Sequence, residues 1–197
     1  MNLQQNYQIF RPVLVMVVGV PASGKTSLAL EMARRLFQGC YLSKDLIQTP
    51  FTDTERVNGE IYSFIQGPTY HILLQFAETQ LSLGKIPIID APFSINHWRK
   101  DAYSDWLTPF QKLAQEKEAR LAVIRCVPPS IEILKERIVQ RHYQWDAWKL
   151  QNWREFNERE PVDFPIQHDD VLDIKTDQPA NLLAKEVILE YLSGESI

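Results

Sequence analysis

The chain is poor in cysteine. Only Cys40 and Cys126 occur among its 197 residues, and they form no C-x-x-C pair. A disulfide scaffold is excluded, and the pattern reads as two reduced core thiols of a cytosolic protein. A basic surplus is also lacking. With 21 Lys and Arg against 25 Asp and Glu the formal net charge is −4, which argues against a sequence-independent nucleic-acid coat. Long apolar runs are missing as well. The longest early one, Val13 to Val18, falls far short of the roughly 20 residues a membrane span needs. The start, Met1-Asn2-Leu3-Gln4-Gln5-Asn6, is polar and carries no basic n-region, so no secretory signal is expected. Internal repeats, low-complexity tracts and Gly/Ser linkers do not occur.

What remains is ordinary for a folded domain: 45% hydrophobic and 23% charged residues. A chain of this length can bury roughly 70% of the surface its unfolded form exposes. Disordered, collagen-like and cysteine-stapled architectures are therefore excluded. A single domain over residues 1–197 is expected, with the aromatic, charged segment 143–164 as a lid.

Strand and helix signals alternate about five times. Pro12 to Val18 is a β-branched run that reads as a strand buried on both faces. Gly19 to Gly24 follows, then a helical pattern from Thr26 to Phe37 with Gly39 as its stop. A short strand is expected at Tyr41-Leu42-Ser43. A helical stretch from about Glu55 to Leu83 should break at Gly67-Pro68 and stop at Gly84, and Ile86 to Ile89 forms a strand ending at Asp90. Trp98 to Lys117 reads as helix kinked or divided by Pro109, and Leu121 to Val127 as a strand. Pro128-Pro129-Ser130 opens a helix from Ile131 to about His142. Val171 to Ile174 is a last strand and Ala180 to Leu192 a last helix. This alternation means an α/β fold with a parallel sheet and helices on both faces. Ligands of such sheets bind beyond the carboxyl ends of the strands, where Gly19–Thr26, Asp45 and Asp90 all fall.

One motif dominates. Gly19-Val20-Pro21-Ala22-Ser23-Gly24-Lys25-Thr26 fits G-x-x-x-x-G-K-[ST] without a mismatch, with Ser27 next in the helix. Its glycines let successive N–H groups turn toward phosphate oxygens, and the following helix directs its partial positive charge at them. Lys25 is expected at the β- and γ-phosphates, and the Thr26 hydroxyl on Mg²⁺. The bland alternative, a glycine-rich turn with a surface lysine, conflicts with the strand before the motif and the helix after it.

The acids say what is done with the phosphate. Asp45, after the second strand, reads either as the base that accepts a proton from an attacking hydroxyl or as a helix N-cap. Asp90 reads as a carboxylate that holds Mg²⁺, directly or through water, or as a turn residue. Arg137 and Arg141, spaced i, i+4, share a helix face. They can close over a triphosphate or simply pair with Glu132 and Glu136. Arg154 and Arg159 are weaker candidates of the same kind. Trp145, Trp148 and Trp153, with Tyr143 and Phe156, form an aromatic stripe that either packs on the core or a partner, or stacks on a base. His71, His97, His142 and His168 show no metal spacing. Ile174-Lys175-Thr176-Asp177 echoes the guanine signature N-K-x-D without its Asn, which disfavours GTP.

Together these residues resemble the P-loop kinase superfamily of AAA-type P-loop NTPases, and within it the polynucleotide-kinase-like and zeta-toxin-like small kinases. The resemblance rests on Gly19 to Thr26, Leu42-Ser43-Lys44-Asp45, Ile88 to Phe93, Arg125 to Pro129 with the Arg137/Arg141 helix, and Leu172 to Asp177. It implies a three-layer fold with a five-stranded parallel sheet of order 2-3-1-4-5. It also implies transfer of the ATP γ-phosphate to a hydroxyl, with Asp45 as general base and Arg137 and Arg141 beside the nucleotide. Polynucleotide kinases of this type commonly carry an Arg three residues after the base. Here that residue is Gln48, which turns the expectation from a nucleic-acid 5′ end toward a small-molecule alcohol. The expected catalytic set is Lys25, Asp45, Arg137 and Arg141, with Gly19 to Ser27 on ATP and with Thr26 and Asp90 on Mg²⁺. Two rivals stand beside it. One is a regulatory ATPase acting through a protein partner. The other is an interaction module that works through the aromatic stripe.

Overall fold

A computed structural model of the chain describes residues 7–52, 59–93, 106–143 and 146–193. Five parallel strands form one sheet: β1 (Val13–Val18), β2 (Gly39–Ser43), β3 (Ile86–Asp90), β4 (Arg120–Val127) and β5 (Val171–Lys175). Their order is β2-β3-β1-β4-β5, as the resemblance implies. The helices are α1 (Lys25–Arg35), α2 (Lys44–Thr52), α3 (Gly59–Ser82), α4 (Thr108–Glu116), α5 (Ile131–Gln140), α6 (Ala147–Gln151), α7 (Trp153–Arg159) and α8 (Ala180–Glu186). Helix α8 runs on into π-helical turns over Val187–Leu192.

Every residue of β1 is buried, because the strand sits mid-sheet with helices on both faces. Val13, Val15 and Val17 face α1 and α8, packing with Leu28, Met32, Leu183 and Val187. Leu14, Met16 and Val18 face α3 and α4, packing with Leu73, Ala77, Phe110 and Leu113. Each such side chain contributes about 1.5–3 kcal/mol relative to exposure. A third, smaller cluster joins Val20 of the loop after β1 to Leu134 and Ile138 of α5 and Phe156 of α7. Among the described residues no helix is long and apolar enough to cross a membrane.

Three local expectations are corrected. Helix α3 runs through Gly67-Pro68 without a break. Gly67 is buried, and the Thr69 hydroxyl donates to the Ile65 carbonyl at 2.7 Å, supplying a bond in the turn the proline weakens. Pro109 neither kinks nor divides a helix within the described residues; it sits in the first turn of α4, where its missing N–H is no loss. Gly39 is not a left-handed helix stop but the first residue of β2. A side chain there would meet the backbone of Ala33 at 3.0 Å, so glycine lets β2 pass close to α1. Residues 98–105 of the helical stretch expected from Trp98, and Trp145 of the aromatic stripe, lie outside the described residues.

The register sets the site. Val17 of β1 lies opposite Asp90 of β3, and Asp90 lies opposite Ser43 of β2. The carboxyl ends of three neighbouring strands therefore open at one level, at the point where the strand order reverses about β1.

Candidate phosphate and acceptor cleft

The chain leaves β1 through a loop that only particular residues can make. Gly19 has φ +145°, and a Cβ there would collide with Ser23 Oγ at 2.6 Å and the Cys126 carbonyl at 2.7 Å. Ala22 adopts φ 64° and Gly24 φ 96°. Gly24 is the N-cap of α1 and supplies no side-chain cap. Helix α1 therefore presents its N-terminus, with its partial positive charge, at the loop.

Behind the loop sits a buried polar knot. The Thr26 hydroxyl donates to Asp90 Oδ2 at 2.7 Å, and the Tyr41 hydroxyl donates to the same oxygen at 3.1 Å. Asp90 is only 3% exposed. Its pKa is raised above the ordinary carboxylate value by burial, against the pull of Lys25, Thr26 and Tyr41 and with a push from Asp45. Tyr41 is pushed up to about 12, chiefly by burial, so it stays a donor. Lys25 donates to the Val20 carbonyl at 3.4 Å. Three buried side-chain atoms among the described residues lack a hydrogen-bond partner: Ser23 Oγ, Gln38 Oε1 and Asp90 Oδ1. Two of them, Ser23 Oγ and Asp90 Oδ1, stand at the phosphate loop. Unpaired buried oxygens call for an explanation, and Asp90 Oδ1 beside the Thr26 hydroxyl fits a hard cation such as Mg²⁺. Among the described residues no three His, Cys, Asp or Glu gather as a metal cage. A magnesium ion commonly uses one or two protein carboxylates and takes further ligands from phosphate and water.

Lys25, Thr26 and Tyr41 line a cleft of about 990 Å³, with Asp90 behind them. One wall holds Gly24, Lys25, Thr26 and Ser27, and another is formed by α2 with Asp45, Leu46, Thr49 and Pro50. Asp45 is not the cap of α2. Ser43 is, since its Oγ accepts from the Leu46 N–H at 3.0 Å. The Asp45 carboxylate, two residues on, is left lining the cleft. Gln48 points away: it is buried and donates to Thr69 Oγ1 at 3.2 Å.

Arg137 and Arg141 both line the cleft, and their pairing is not with Glu132 and Glu136. Arg137 forks onto Thr176, donating to its hydroxyl at 2.9 Å and to its carbonyl at 2.6 Å. Arg141 donates to Asp146 through Nε and, at 2.6 Å, through Nη2. Lys149 reaches Asp146 as well, at 2.6 Å. Burial alone would raise Asp146, but these cations hold it below the usual carboxylate range. Arg154 and Arg159 stay on α7, paired with Glu158 and Glu155.

The aromatic stripe divides. Trp153 and Phe156 pack at 5.5 Å between ring centres, against the cluster of Val20, Leu134 and Ile138. Trp148 stays 43% exposed with Arg159 over its ring at 5.2 Å. Tyr143 lines the cleft under Arg141, 5.1 Å from its ring centre. The cysteines are free, and burial pushes the Cys126 thiol up to about 12, consistent with an inert core residue. Sequence reasoning missed Tyr41, Asp146 and the hub role of Thr176. Tyr41 gave no signal, and Thr176 was visible only within a failed guanine signature.

With this geometry in place, comparison with known proteins is informative. The family model described as "AAA domain" matches residues 14–159. No curated protein sequence matches the chain significantly. Among solved structures, a candidate kinase from Chloroflexus aurantiacus aligns with TM-score 0.68 at 22% identity, covering 93% of this chain and 100% of that one. The APS kinase of Mycobacterium tuberculosis, in complex with AMPPNP and APS, aligns with TM-score 0.56 at 18% identity over 90% of this chain and 96% of its own. Shikimate kinase from Acinetobacter baumannii, in complex with shikimate, gives TM-score 0.56 at 17% identity over 94% and 96%. At such identities the likeness establishes the fold, that of the P-loop small kinases.

Proposed function

This chain belongs to the AAA-domain family of P-loop proteins, and we propose from that footing that it moves the γ-phosphoryl group of ATP to a hydroxyl of a small-molecule acceptor. The observation that carries the reading is the cleft itself: Lys25 and Thr26 on one wall, Asp45 on the other, with buried Asp90 bound to Thr26 at 2.7 Å.

In this reading the N–H groups of Gly24 to Ser27, at the end of the loop and the start of α1, bind the phosphates, and Lys25 offsets charge on the β- and γ-phosphates. Thr26 and Asp90 hold the Mg²⁺ that, when bound with nucleotide, neutralises phosphate charge. Asp45 orients the acceptor hydroxyl and takes its proton as the new O–P bond forms. The bond from Pγ to the β,γ-bridging oxygen breaks and ADP departs. Arg141 and Tyr143 form the rim over the nucleotide, at the start of a lid of residues 143–164. Catalysis is then mainly positioning and electrostatics.

Two features support a small, uncharged alcohol over a nucleic-acid end. The acceptor wall combines a carboxylate with Leu46, Thr49 and Pro50. Gln48 spends its amide on Thr69 rather than on the cleft. APS and shikimate, the ligands in two of the related structures, are also small molecules. The test is an acceptor screen with γ-labelled ATP over sugars, amino sugars, nucleosides, oligonucleotide 5′ ends and hydroxylated antibiotics. One class of small alcohol should accept label and raise ADP release above the basal rate. Labelling confined to oligonucleotide ends would replace the acceptor assignment. ADP release indifferent to every acceptor, with partner binding that follows nucleotide state, would favour the regulatory ATPase instead.

A further inference from the structure

We propose that Thr176 is a positioning residue that locks the phosphate loop and Arg137 into one geometry, an inference that rests on the nucleotide-binding reading above. Thr176 follows the edge strand β5 and is 5% exposed. Its N–H donates to the Val127 carbonyl at 2.9 Å, which extends the sheet by one bond. Its hydroxyl donates across the fold to the Ser23 carbonyl at 2.8 Å. The same oxygen accepts from Arg137 Nη1 at 2.9 Å, and the Thr176 carbonyl accepts from Nη2 at 2.6 Å. One residue thus joins the ends of β4 and β5, helix α5 and the loop after β1.

Both branches of the side chain are used. The methyl and Cβ lie against Gly24, where an added Cβ would meet them at 3.1 and 3.2 Å. The hydroxyl fixes Ser23, the residue just before. Peptide units 23 and 24 belong to the anion nest, so a shift in either re-aims the N–H groups of the nest. Removing the hydroxyl takes one bond from Arg137 Nη1, which is half-buried at the cleft, and leaves the fully buried Ser23 carbonyl without its donor, a loss that carries the desolvation penalty of a buried acceptor. Arg137 is held in this arrangement as a strut, both nitrogens of its fork on Thr176.

Two substitutions separate the branches. Thr176→Val keeps the shape and loses the hydroxyl; Thr176→Ser keeps the hydroxyl and loses the methyl. Titration calorimetry of the full chain with AMP, ADP and ATP supplies a readout that general loosening would not give. Thr176→Val should weaken ATP and ADP by roughly 10- to 100-fold, the range for a hydrogen bond involving a charged group. AMP, which lacks the β- and γ-phosphates, should lose at least about threefold less. Thr176→Ser should stay within about threefold of the parent for all three nucleotides, since its hydroxyl bonds persist. Should Thr176→Val fail to fold, Thr176→Ala removes the same hydroxyl without demanding space and should show the same ranking. Unchanged ADP and ATP affinity in the hydroxyl-free variants overturns the inference alone, as does an equal loss for all three nucleotides. A parent protein that binds neither ADP nor ATP overturns the nucleotide site as well.

Discussion

The two walls of the cleft are built in opposite ways. The phosphate wall is made of backbone and buried groups: Gly19, Ala22 and Gly24 at positive φ, with Lys25 and Asp90 almost sealed from solvent. The acceptor wall is made of exposed side chains on one face of α2, and Leu46 there is 59% exposed. The contrast teaches where change is tolerated. In the proposed reaction, backbone geometry and buried charge would hold the part common to all acceptors. Solvent-facing side chains would set which acceptor fits, and they can be exchanged with little effect on the core.

The sharpest test of that division sets Lys25→Ala against Asp45→Asn. Losing Lys25 should lower transfer by about 10²–10³-fold and weaken nucleotide binding as well. Asp45→Asn should lower turnover by about 10²–10⁴-fold with ATP affinity unchanged. Calorimetry beside steady-state rates separates the two, and equal turnover in Asp45→Asn would remove Asp45 as the base. Next in size is Leu46→Ala, which should raise the acceptor KM up to about tenfold, the low end for a lost apolar contact. Its KM for ATP and its thermal midpoint should stay at parent values. A matching change in the ATP KM would blur the two walls into one.

The smallest effect lies outside both walls. Arg120 donates to Asp170 at 2.6 and 3.0 Å and holds that carboxyl below its ordinary range, against burial. A carboxyl depressed in the folded state stabilises the fold above the unfolded carboxylate range, and the gain is lost as pH falls through the folded value. Asp170→Asn should therefore lower stability by about 1 kcal/mol at neutral pH, since the pair is partly solvated. Thermal melts from pH 7 to pH 3 should show the gap between variant and parent closing in acid, while the nucleotide affinity at neutral pH stays the same.

The phosphate wall was legible in the sequence because few residues can make it. Gly19, Gly24, Lys25 and Thr26 stand at fixed spacing between a β-branched run and a helical one, and Asp90 ends a strand. The strands were readable for a related reason: β1 throughout, and β3 up to Asp90, are buried on both faces and so are apolar. The acceptor wall was not. Helix α2 is short, follows β2 with no turn residue between them, and carries Pro50 in its interior, which reads locally as a stop. The cap on α2 is Ser43, whereas Asp45, two residues on, was the candidate that composition alone suggested. Arg137 and Arg141 could be placed on one face but not paired, because Thr176 comes to Arg137 through tertiary packing and Asp146 lies five residues on, beyond the end of α5. Gly67-Pro68 looked like a break because local rules treat the dipeptide alone, without the packing that keeps α3 whole.

The edge strand has two gauges, one just before it and one at its middle. Arg120 grips Asp170 just before β5, and Arg125 grips its register partner Asp173 at 2.7 Å within it. A slip of one residue would displace everything downstream by about 3.3 Å and turn each side chain to the other face. Both ion pairs would have to break together for that to happen. Thr176, one residue past β5 and bonded to the Ser23 carbonyl at 2.8 Å, is thus kept in place by two ion pairs upstream of it, in the way a jig fixes a workpiece from its far edge.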